Sequence, residues 1–366
     1  MLGGGQLGRM VLREAQDLDV HISILDPSAD CPASSYANEF VLGDFRDYHT
    51  VLAFGDDKDL LTIEIEDVNT QALFELEEKG KKVFPQPAII ELIKDKGIQK
   101  EFYRDHGIPT SSFWLGDGKE DLKDRWPCVQ KLRVGGYDGK GVKVIQSAED
   151  AQNAFDAPCV IEALVDIDKE ISVIGCRNEF GEMDVYPAVE MVFDPQANLV
   201  DYLISPANIR LEIEQQASDI VKNIMQQLNF VGVLAVELFL DANGALLVNE
   251  MAPRTHNSGH QTIEGSYTSQ FAQHLRMLCG LKPGNTGLRS HSAMVNVLGA
   301  EGFIGPAVYE GIEEAIALGN VYPHLYGKAT TKPFRKMGHI TILGDTAQEV
   351  MEKAKKVRNL ITVKTD

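Results

Sequence analysis

The stretch Val236–Met251, VELFLDANGALLVNEM, places two strand-forming runs on either side of Asn243-Gly244. Asn-Gly between apolar runs is the strongest short-range signal for a β-hairpin with a two-residue type I′ turn. A turn centred on those two residues pairs Glu237 directly with Glu250, so both side chains lie on one face of the hairpin. The sequence therefore predicts two carboxylates that face each other across adjacent strands.

Two facing carboxylates need a compensating positive charge. Like charges directly opposite each other destabilise an antiparallel pair, and apolar neighbours add a desolvation cost. Magnesium would offset both, because Mg²⁺ is usually held by one or two carboxylates, with substrate phosphates and waters completing its shell. Two alternatives stay open: one glutamate pairs with an arginine, or the register shifts and the two separate. We interpret Glu237 and Glu250 as metal ligands.

A glycine-rich segment lies upstream of this hairpin. The sequence QKLRVGGYDGKG (130–141) carries four glycines around Asp138 and Lys140, directly after a predicted strand. A mobile loop of this kind can donate backbone N–H groups to phosphates and close over a bound nucleotide. Lys131, at the end of the strand, is well placed for a phosphate contact. An ordinary glycine hairpin is the alternative interpretation.

The N-terminus carries a third glycine pattern. Gly3, Gly5 and Gly8 fit GxGxxG before a predicted helix, and Asp26 closes the next strand, as in dinucleotide-binding sites. Nothing downstream resembles a hydride-transfer site, so an NAD dehydrogenase is the weaker alternative. We interpret the turn as a phosphate or ribose contact, or as a simple tight turn. Because only two residues precede Gly3, we expect the true first residues of a strand to be missing.

The composition limits the class of protein and its partners. A chain of 366 residues exceeds one ordinary core, and 44% hydrophobic with 24% charged residues is typical of a soluble globular protein. We find no apolar run long enough to span a membrane, no secretory signal, and five scattered cysteines that predict reduced thiols and a cytoplasmic location. A net charge of −19 without a basic run makes nucleic acid an unexpected partner.

The order of predicted elements indicates an α/β protein. Four strands alternate with helices in the first part, which predicts a parallel sheet. One long helix is expected from Pro87 to His106, and strands and turns dominate from 113 to 206, so the centre is of the α+β type. The four N-terminal strands are predicted at 21–26, 39–44, 60–66 and 81–85.

These elements, in this order, resemble the ATP-grasp superfamily, and most of all its bicarbonate-dependent ligases of purine biosynthesis. The resemblance covers essentially the whole chain and rests on GGGQLGRM, IEIEDVN, QKLRVGGYDGKG, VNEMAPRTHNSGH and YGKATTKPFRKMGHIT, of which the last three are very specific. It implies an N-terminal Rossmann-like pre-ATP-grasp domain, a central ATP-grasp region with a lid and a larger metal and substrate subdomain, and a small mixed C-terminal domain. The implied bounds are 1–86, 87–285 (lid 87–165, larger subdomain 166–285) and 286–366.

The same resemblance implies the reaction. Bicarbonate attacks the γ-phosphate of ATP to give ADP and carboxyphosphate, whose breakdown delivers CO₂ to the exocyclic amine of 5-aminoimidazole ribonucleotide. Mg²⁺ and ATP are the implied cofactors, and a homodimer is expected. The alternatives are another ligase on the same scaffold, such as a formate-dependent glycinamide ribonucleotide transformylase, or a nucleotide-binding protein without turnover.

Site residues follow from the resemblance position by position. Glu162–Val165 is the hinge that reads the adenine, Glu170 contacts the ribose, and the expected ATP contacts are Lys96, Lys131, Gly136, Gly139, Gly141, Glu162, Ala163, Leu164, Val165, Glu170, Asn249 and Glu250. The expected catalytic residues are Asp138, which orients the amine or accepts its proton, Arg254 and His256, which hold bicarbonate or carboxyphosphate, and Lys328. The expected substrate contacts are Gln6, Leu7, Tyr137, Lys140, Asn257, Lys328 and Arg335.

One position departs from the superfamily pattern, and two histidines are expected to have no role in the site. Many ATP-grasp enzymes carry Asn two residues after the second metal glutamate, where this chain has Ala252, so fewer protein ligands are available to a metal. His260 and His339 are expected to be ordinary surface histidines.

Overall fold

The computed structural model describes residues 1–122, 125–136, 141–194 and 199–365. The predictions for Tyr137, Asp138, Gly139 and Lys140 therefore lie outside the described residues. Within those ranges, no helix is both long and apolar enough to cross a membrane.

A parallel sheet flanked by helices forms the first part of the chain. Its elements are α1 (Gln6–Ala15), β1 (Ser23–Asp26), β2 (Glu39–Leu42), α2 (Tyr48–Gly55), β3 (Leu60–Leu61), α3 (Thr70–Glu78) and β4 (Lys82–Val83). β1 pairs with β2 and β3 with β4, while the fully buried Leu2 bridges to Leu25 and Ile63. Leu2 thus takes the central sheet position, and the parallel arrangement agrees with the sequence prediction, although the strands are shorter.

The helix predicted from Pro87 to His106 is interrupted, so this prediction is wrong. The structure has α4 (Pro87–Lys94) and α5 (Lys96–Asp105), separated by Asp95 in an extended conformation. The Asp95 carboxylate accepts hydrogen bonds from the backbone N–H of Gly97 and Ile98 at 2.7 and 3.3 Å, and pairs with Arg133 at 2.6 Å. Capping by Asp95 starts a new helix and puts Lys96 in its first turn.

A small antiparallel sheet follows. It contains β5 (Phe113–Gly116), β6 (Cys128–Leu132), β7 (Val142–Ile145), α6 (Ala148–Gln152) and β8 (Cys159–Ala163), with strand order β5-β8-β6-β7. The ends of the glycine segment meet where β6 leads to β7. Gly141 has a φ of +77°, and a Cβ on it would lie 3.1 Å from the Gly136 Cα. A residue with a side chain is therefore poorly tolerated at position 141.

A larger antiparallel sheet forms the centre of the molecule. Its elements are β9 (Ile167–Arg177), β10 (Met183–Val185), β11 (Val189–Asp194), β12 (Leu199–Ser205), α7 (Leu211–Gln227), β13 (Gly232–Asp241), β14 (Leu246–Ala252), α8 (Thr262–Gly265) and α9 (Gln270–Leu278). The apolar side of α7, including Val221 and Ile224, packs into the core on one face of this sheet. That core includes side chains of both β13 and β14, such as Leu238 and Val248.

The C-terminal part extends the same sheet. It consists of β15 (His291–Leu298), β16 (Gly305–Pro306), β17 (Val308–Glu310), α10 (Ile312–Ala317), β18 (Val321–Leu325), β19 (Thr330–Thr331), β20 (Lys336–Gly344), α11 (Ala347–Leu360) and β21 (Thr362–Lys364). The strand order is β14-β13-β9-β11-β12-β15-β20-β18, with β10 on β9. The sheet therefore continues past residue 286, while α11 packs over a separate apolar core. The domain bounds stay a prediction.

Candidate active site

The predicted facing pair is present: Glu237 on β13 lies opposite Glu250 on β14. The predicted type I′ turn is wrong, because Asp241 and Ala245 close a three-residue loop and, of Asn243 and Gly244, Gly244 alone has a positive φ, +86°. That loop shifts the register by one residue. A β-bulge between the turn and the glutamates shifts it back, since Glu237 pairs with Glu250 but Leu238 pairs with Val248.

The bulge residue is Asn249, and it matters for the site. An extra residue in a strand redirects the local side chains, and Asn249 and Glu250 each contact a lysine. The Lys131 ammonium donates to Asn249 Oδ1 at 2.6 Å, while Lys96 pairs with Glu250 Oε2. Two lysines therefore contact β14 at the bulge.

The two glutamates have opposite electrostatic environments. Burial, together with the charges of Glu250 and Glu170, raises the pKa of Glu237 to about 8. Burial also disfavours the charged form of Glu250, but Lys96 and Lys131 outweigh it and lower its pKa. Glu250 is therefore the carboxylate that ionises more readily, and Glu237 ionises less readily, as expected for two close carboxylates.

This arrangement fits a magnesium ion that is held partly by substrate. Although their surroundings are apolar enough for burial to affect both pKa values, the side chains of Glu237 and Glu250 are 18% and 40% exposed, so a bound ion could reach them. Among the described residues, no group of three or more His, Cys, Asp and Glu side chains could hold a metal by itself. Two carboxylates without further protein ligands suit Mg²⁺ that takes its remaining ligands from phosphates and water.

Glu162 has a different environment from the one expected of an adenine contact. Its side chain is buried, and it accepts a hydrogen bond from Ser111 at 2.6 Å. Its two oxygens pair with Lys131 at 2.9 Å and Lys100 at 3.0 Å. Although burial opposes ionisation, the two lysines dominate and lower the pKa of Glu162 to about 2. Both oxygens of the Glu162 carboxylate are therefore ion-paired with lysines.

The other residues predicted to contact adenine and ribose lie next to Glu162 and its lysine partners. Ala163 ends β8, Leu164 is exposed and Val165 is half-buried. Glu170 on β9 pairs across the sheet with Phe239 and Met191. Burial raises the pKa of Glu170 to about 7, against the opposing charge of Lys131.

The N-terminal glycine turn is occupied by the chain's own carboxylates. Glu64 accepts hydrogen bonds from the backbone N–H of Gly5 and Leu7 at 2.5 and 3.0 Å. Asp26 accepts one from Gly4 at 2.8 Å. The N-terminus of α1 therefore donates to the carboxyl group of Glu64, and the phosphate or ribose contact interpreted from the sequence stays a prediction. Asp26 serves the turn, in contrast to the ribose-binding acid of a dinucleotide site.

Gln6, Leu7 and Lys328, predicted as substrate contacts, lie close to one another or to this turn. Lys328 donates to Gln6 Oε1 at 3.0 Å and to the Lys336 carbonyl oxygen at 2.8 Å. The Leu7 side chain is buried in an apolar cluster, and its backbone N–H donates to Glu64. Arg335 donates to the carbonyl oxygen of Thr330 at 2.7 Å.

Arg254, His256 and Asn257 lie shortly after the end of β14. Arg254 pairs with Glu66 at 2.9 Å, which ties it to the N-terminal part. His256 Nε2 lies 3.7 Å from Glu237 Oε1, and its Nδ1 lies 2.9 Å from the Ser258 hydroxyl. Asn257 exchanges hydrogen bonds with the Asn296 side chain.

His260 and His339 are buried, so the expectation of surface histidines is wrong. Their rings lie 4.6 Å apart, and His324 stacks on His339 at 4.5 Å. Burial holds the pKa of both His260 and His339 well below the usual range. The Tyr326 hydroxyl lies 2.9 Å from His339 Nδ1, next to the segment that carries Lys328.

Sequence reasoning missed four charged residues of the site: Lys100, Lys336, Glu64 and Glu66. Lys100 had a usable signal, because it lies one helical turn after Lys96 and so shares its face. The positive charge of Lys336 favours the ionised form of Glu237. Lys336 lies in the basic segment in which the sequence predicts roles for Lys328 and Arg335. The other two lie in the quoted IEIEDVN segment, without an assigned role.

Family models match the chain in three consecutive parts. They are a ribonucleotide synthetase preATP-grasp domain at residues 1–94, an ATP-grasp domain at 101–271, and a phosphoribosylaminoimidazole carboxylase C-terminal domain at 292–353. Together with the facing glutamates, they define the chain as an ATP-grasp ligase.

Relatives narrow the class. N5-carboxyaminoimidazole ribonucleotide synthase of Bacillus subtilis (strain 168) is 34% identical over 363 residues, covering 96% of this chain and 93% of the relative. The crystal structure of the synthetase from Thermotoga maritima superposes with a TM-score of 0.94 at 38% identity, covering 100% of this chain and 98% of the other. The Aspergillus clavatus enzyme in complex with ADP and 5-aminoimidazole ribonucleotide superposes with a TM-score of 0.88 at 30% identity, over 98% and 97%.

The chain belongs to the N5-carboxyaminoimidazole ribonucleotide synthetase family. The predicted superfamily, α/β fold class and ATP-dependent ligase activity in purine biosynthesis are thereby confirmed.

Proposed function

We propose that this ligase phosphorylates bicarbonate with ATP in the cleft at Glu237 and Glu250, and then carboxylates the exocyclic amine of 5-aminoimidazole ribonucleotide. The observation that carries this proposal is the facing glutamate pair with Lys96 and Lys131 beside it. Two carboxylates for a cation and two ammonium groups for phosphates are what a magnesium–triphosphate complex requires.

Glu237 and Glu250 would hold Mg²⁺. The ion would neutralise the developing charge on the phosphates during transfer and help to align them. Lys96 would exchange Glu250 for a phosphate oxygen, since its ammonium already lies at the metal strand. Lys131 reaches the same strand through Asn249 and would contact a second phosphate.

The nucleoside would lie along the end of β8. Because the Glu162 carboxylate is engaged by two lysines, we assign the adenine to the backbone of residues 162–165. Glu170 would accept a hydrogen bond from a ribose hydroxyl. The closely approaching Gly136 and Gly141, with Gly139 between them in sequence, would begin and end the segment over the phosphates.

Arg254 and His256 would hold bicarbonate. A bicarbonate oxygen attacks the γ-phosphorus and ADP leaves, forming carboxyphosphate. That species breaks its C–O bond to give CO₂ and phosphate, and the amine forms a C–N bond with CO₂ and loses a proton. Arg254 suits a planar oxyanion because its guanidinium offers a fork of N–H donors. Its pairing with Glu66 orients that fork.

The ribonucleotide would occupy the space between the glycine turn and β20. Lys328 and Arg335 would neutralise its phosphate, and Gln6, Leu7 and Asn257 would contact it through side chains or backbone. Asp138 would orient the amine or accept its proton. Tyr137 would lie over the substrate, and Lys140 would neutralise phosphate charge.

We also propose a cytoplasmic homodimer. Five free cysteines, four of them buried, suit a reducing compartment. Exposed apolar side chains in the N-terminal part, such as Leu42 and Tyr36, offer surface for a second copy. Sedimentation velocity would give twice the chain mass, and a monomer at micromolar concentration would contradict the dimer.

The function is tested by ADP release, coupled to a spectroscopic readout, with different acceptor pairs. We expect ADP formation with 5-aminoimidazole ribonucleotide and bicarbonate, and background rates when either is omitted. Activity only with glycinamide ribonucleotide and formate would contradict the proposal.

A further inference from the structure

Lys100 is a buried lysine that no assigned role explains. It lies one turn after Lys96 on α5, and its side chain is 3% exposed. Burying an ammonium is costly unless it is paired. Burial lowers the pKa of Lys100 to about 8, although Glu162 opposes this effect. A site residue so costly to bury is expected to act on its neighbours.

The contacts of Lys100 join three parts of the site. Its Nζ lies 3.0 Å from Glu162 Oε2 on β8 and donates to the Thr110 hydroxyl at 2.7 Å. Thr110 in turn donates to the Val248 carbonyl oxygen at 2.6 Å, on the metal strand β14. Lys100 thus connects α5 with β8 and, through Thr110, with β14.

One carboxylate serves two lysines. Glu162 presents Oε2 to Lys100 and Ser111, and Oε1 to Lys131 at 2.9 Å. The negative charge that Lys131 meets is therefore already partly balanced from the far side. Lys131 can remain shared between Glu162, Asn249 and a further anion.

We propose that Lys100 is a positioning residue that, through Glu162, keeps the Lys131 ammonium available to the nucleotide phosphates. Without Lys100, the buried Glu162 carboxylate keeps Lys131 as its one ion-pair partner among the described residues, attracts it more strongly and withdraws it from the phosphates. This inference rests on the proposed phosphate contact of Lys131.

The test is a double-mutant cycle on magnesium–ADP binding, measured by isothermal titration calorimetry. Lys100→Met keeps the side-chain length and removes the charge. We expect Lys131→Met to weaken ADP binding about 30-fold and Lys100→Met about tenfold, because a charged hydrogen bond is lost or weakened. In the double variant, Lys100→Met should add less than about twofold, since Lys131 is no longer there to be displaced.

Two further measurements separate positioning from damage to the fold. Binding of adenosine, which lacks phosphates, should stay within about twofold of wild type in all variants. Adding Glu162→Gln to Lys100→Met should restore much of the ADP affinity, because the attraction on Lys131 disappears. Lys94→Met is the matched control, since that lysine donates to the Val68 carbonyl oxygen instead. It should bind ADP as wild type does.

Equal weakening by Lys100→Met with and without Lys131, or no weakening at all, would overturn the inference while leaving the phosphate role of Lys131 intact. Unchanged ADP binding in Lys131→Met would overturn that role and the inference together. If Lys100→Met does not fold, Ser111→Ala removes a weaker balancing contact from the same oxygen. It should weaken ADP binding about threefold, and only when Lys131 is present.

Discussion

Replacing Glu237 with glutamine should stabilise the metal-free protein above mildly acidic pH. Burial and the charges of Glu250 and Glu170 raise the pKa of Glu237 from 4.5 to about 8. The unfolded chain therefore releases this proton first, and wild-type stability falls as the pH rises from 4.5 towards 8. Each pH unit corresponds to about 1.4 kcal/mol, so at pH 7 the cost reaches about 3 kcal/mol. Glutamine carries no charge, so the variant does not have this cost in stability.

The assay is urea unfolding of wild type and Glu237→Gln at pH 5 and pH 7, with a chelator present. Groups that do not interact with Glu237 titrate alike in both proteins and cancel in the difference, whereas Glu250 and Glu170 ionise at least as readily in the variant because a like charge is gone. We expect a stability gain of about 3 kcal/mol at pH 7 and less than about 1 kcal/mol at pH 5. Glu250→Gln is the control: it leaves Lys96 without its partner, so it should not stabilise. A gain equal at both pH values, or a loss at pH 7, would refute the reasoning.

Four further changes test other parts of the site. Glu250→Gln should abolish ATP turnover with an unchanged circular dichroism spectrum, because a metal ligand is lost while the shape is kept; near-normal turnover would refute the metal assignment. Asp138→Ala should slow carboxylation far more than it weakens ATP binding, and equal losses would leave the aspartate only a structural role. Lys328→Met should raise the KM for the ribonucleotide about tenfold with little change in the KM for ATP, as one phosphate contact is lost; a matching rise for ATP would contradict the assignment. Gly244→Ala should lower the free energy of unfolding by about 1 kcal/mol, since φ is +86° there, whereas unchanged stability would contradict a strained turn.

The sequence predicted the facing of Glu237 and Glu250 correctly although it missed the turn. A three-residue loop and the bulge at Asn249 each shift the register by one residue, in opposite directions. The pairing of Glu237 with Glu250 survives because buried strands fix which side chains face the core. The bulge residue Asn249 contacts Lys131, which lies far away in the sequence.

Other misses share a cause in tertiary contacts. The periodicity around Asp95 is helical on both sides, whereas at the break Asp95 pairs with Arg133, which follows β6 of the small antiparallel sheet. The glycine turn at Gly5 has the local form of a phosphate site, and its internal occupant, Glu64, comes from another strand region. Local patterns fix the type of an element, whereas the partner of a charged group is set by the fold.

Labelled bicarbonate tests most directly whether the cleft activates bicarbonate by phosphorylation. With [¹⁸O]bicarbonate, ATP and 5-aminoimidazole ribonucleotide, the phosphate released is analysed by mass spectrometry. We expect one labelled oxygen per phosphate, because the attacking bicarbonate oxygen stays on phosphorus when carboxyphosphate breaks its C–O bond. Unlabelled phosphate formed together with carboxylated product would contradict this mechanism.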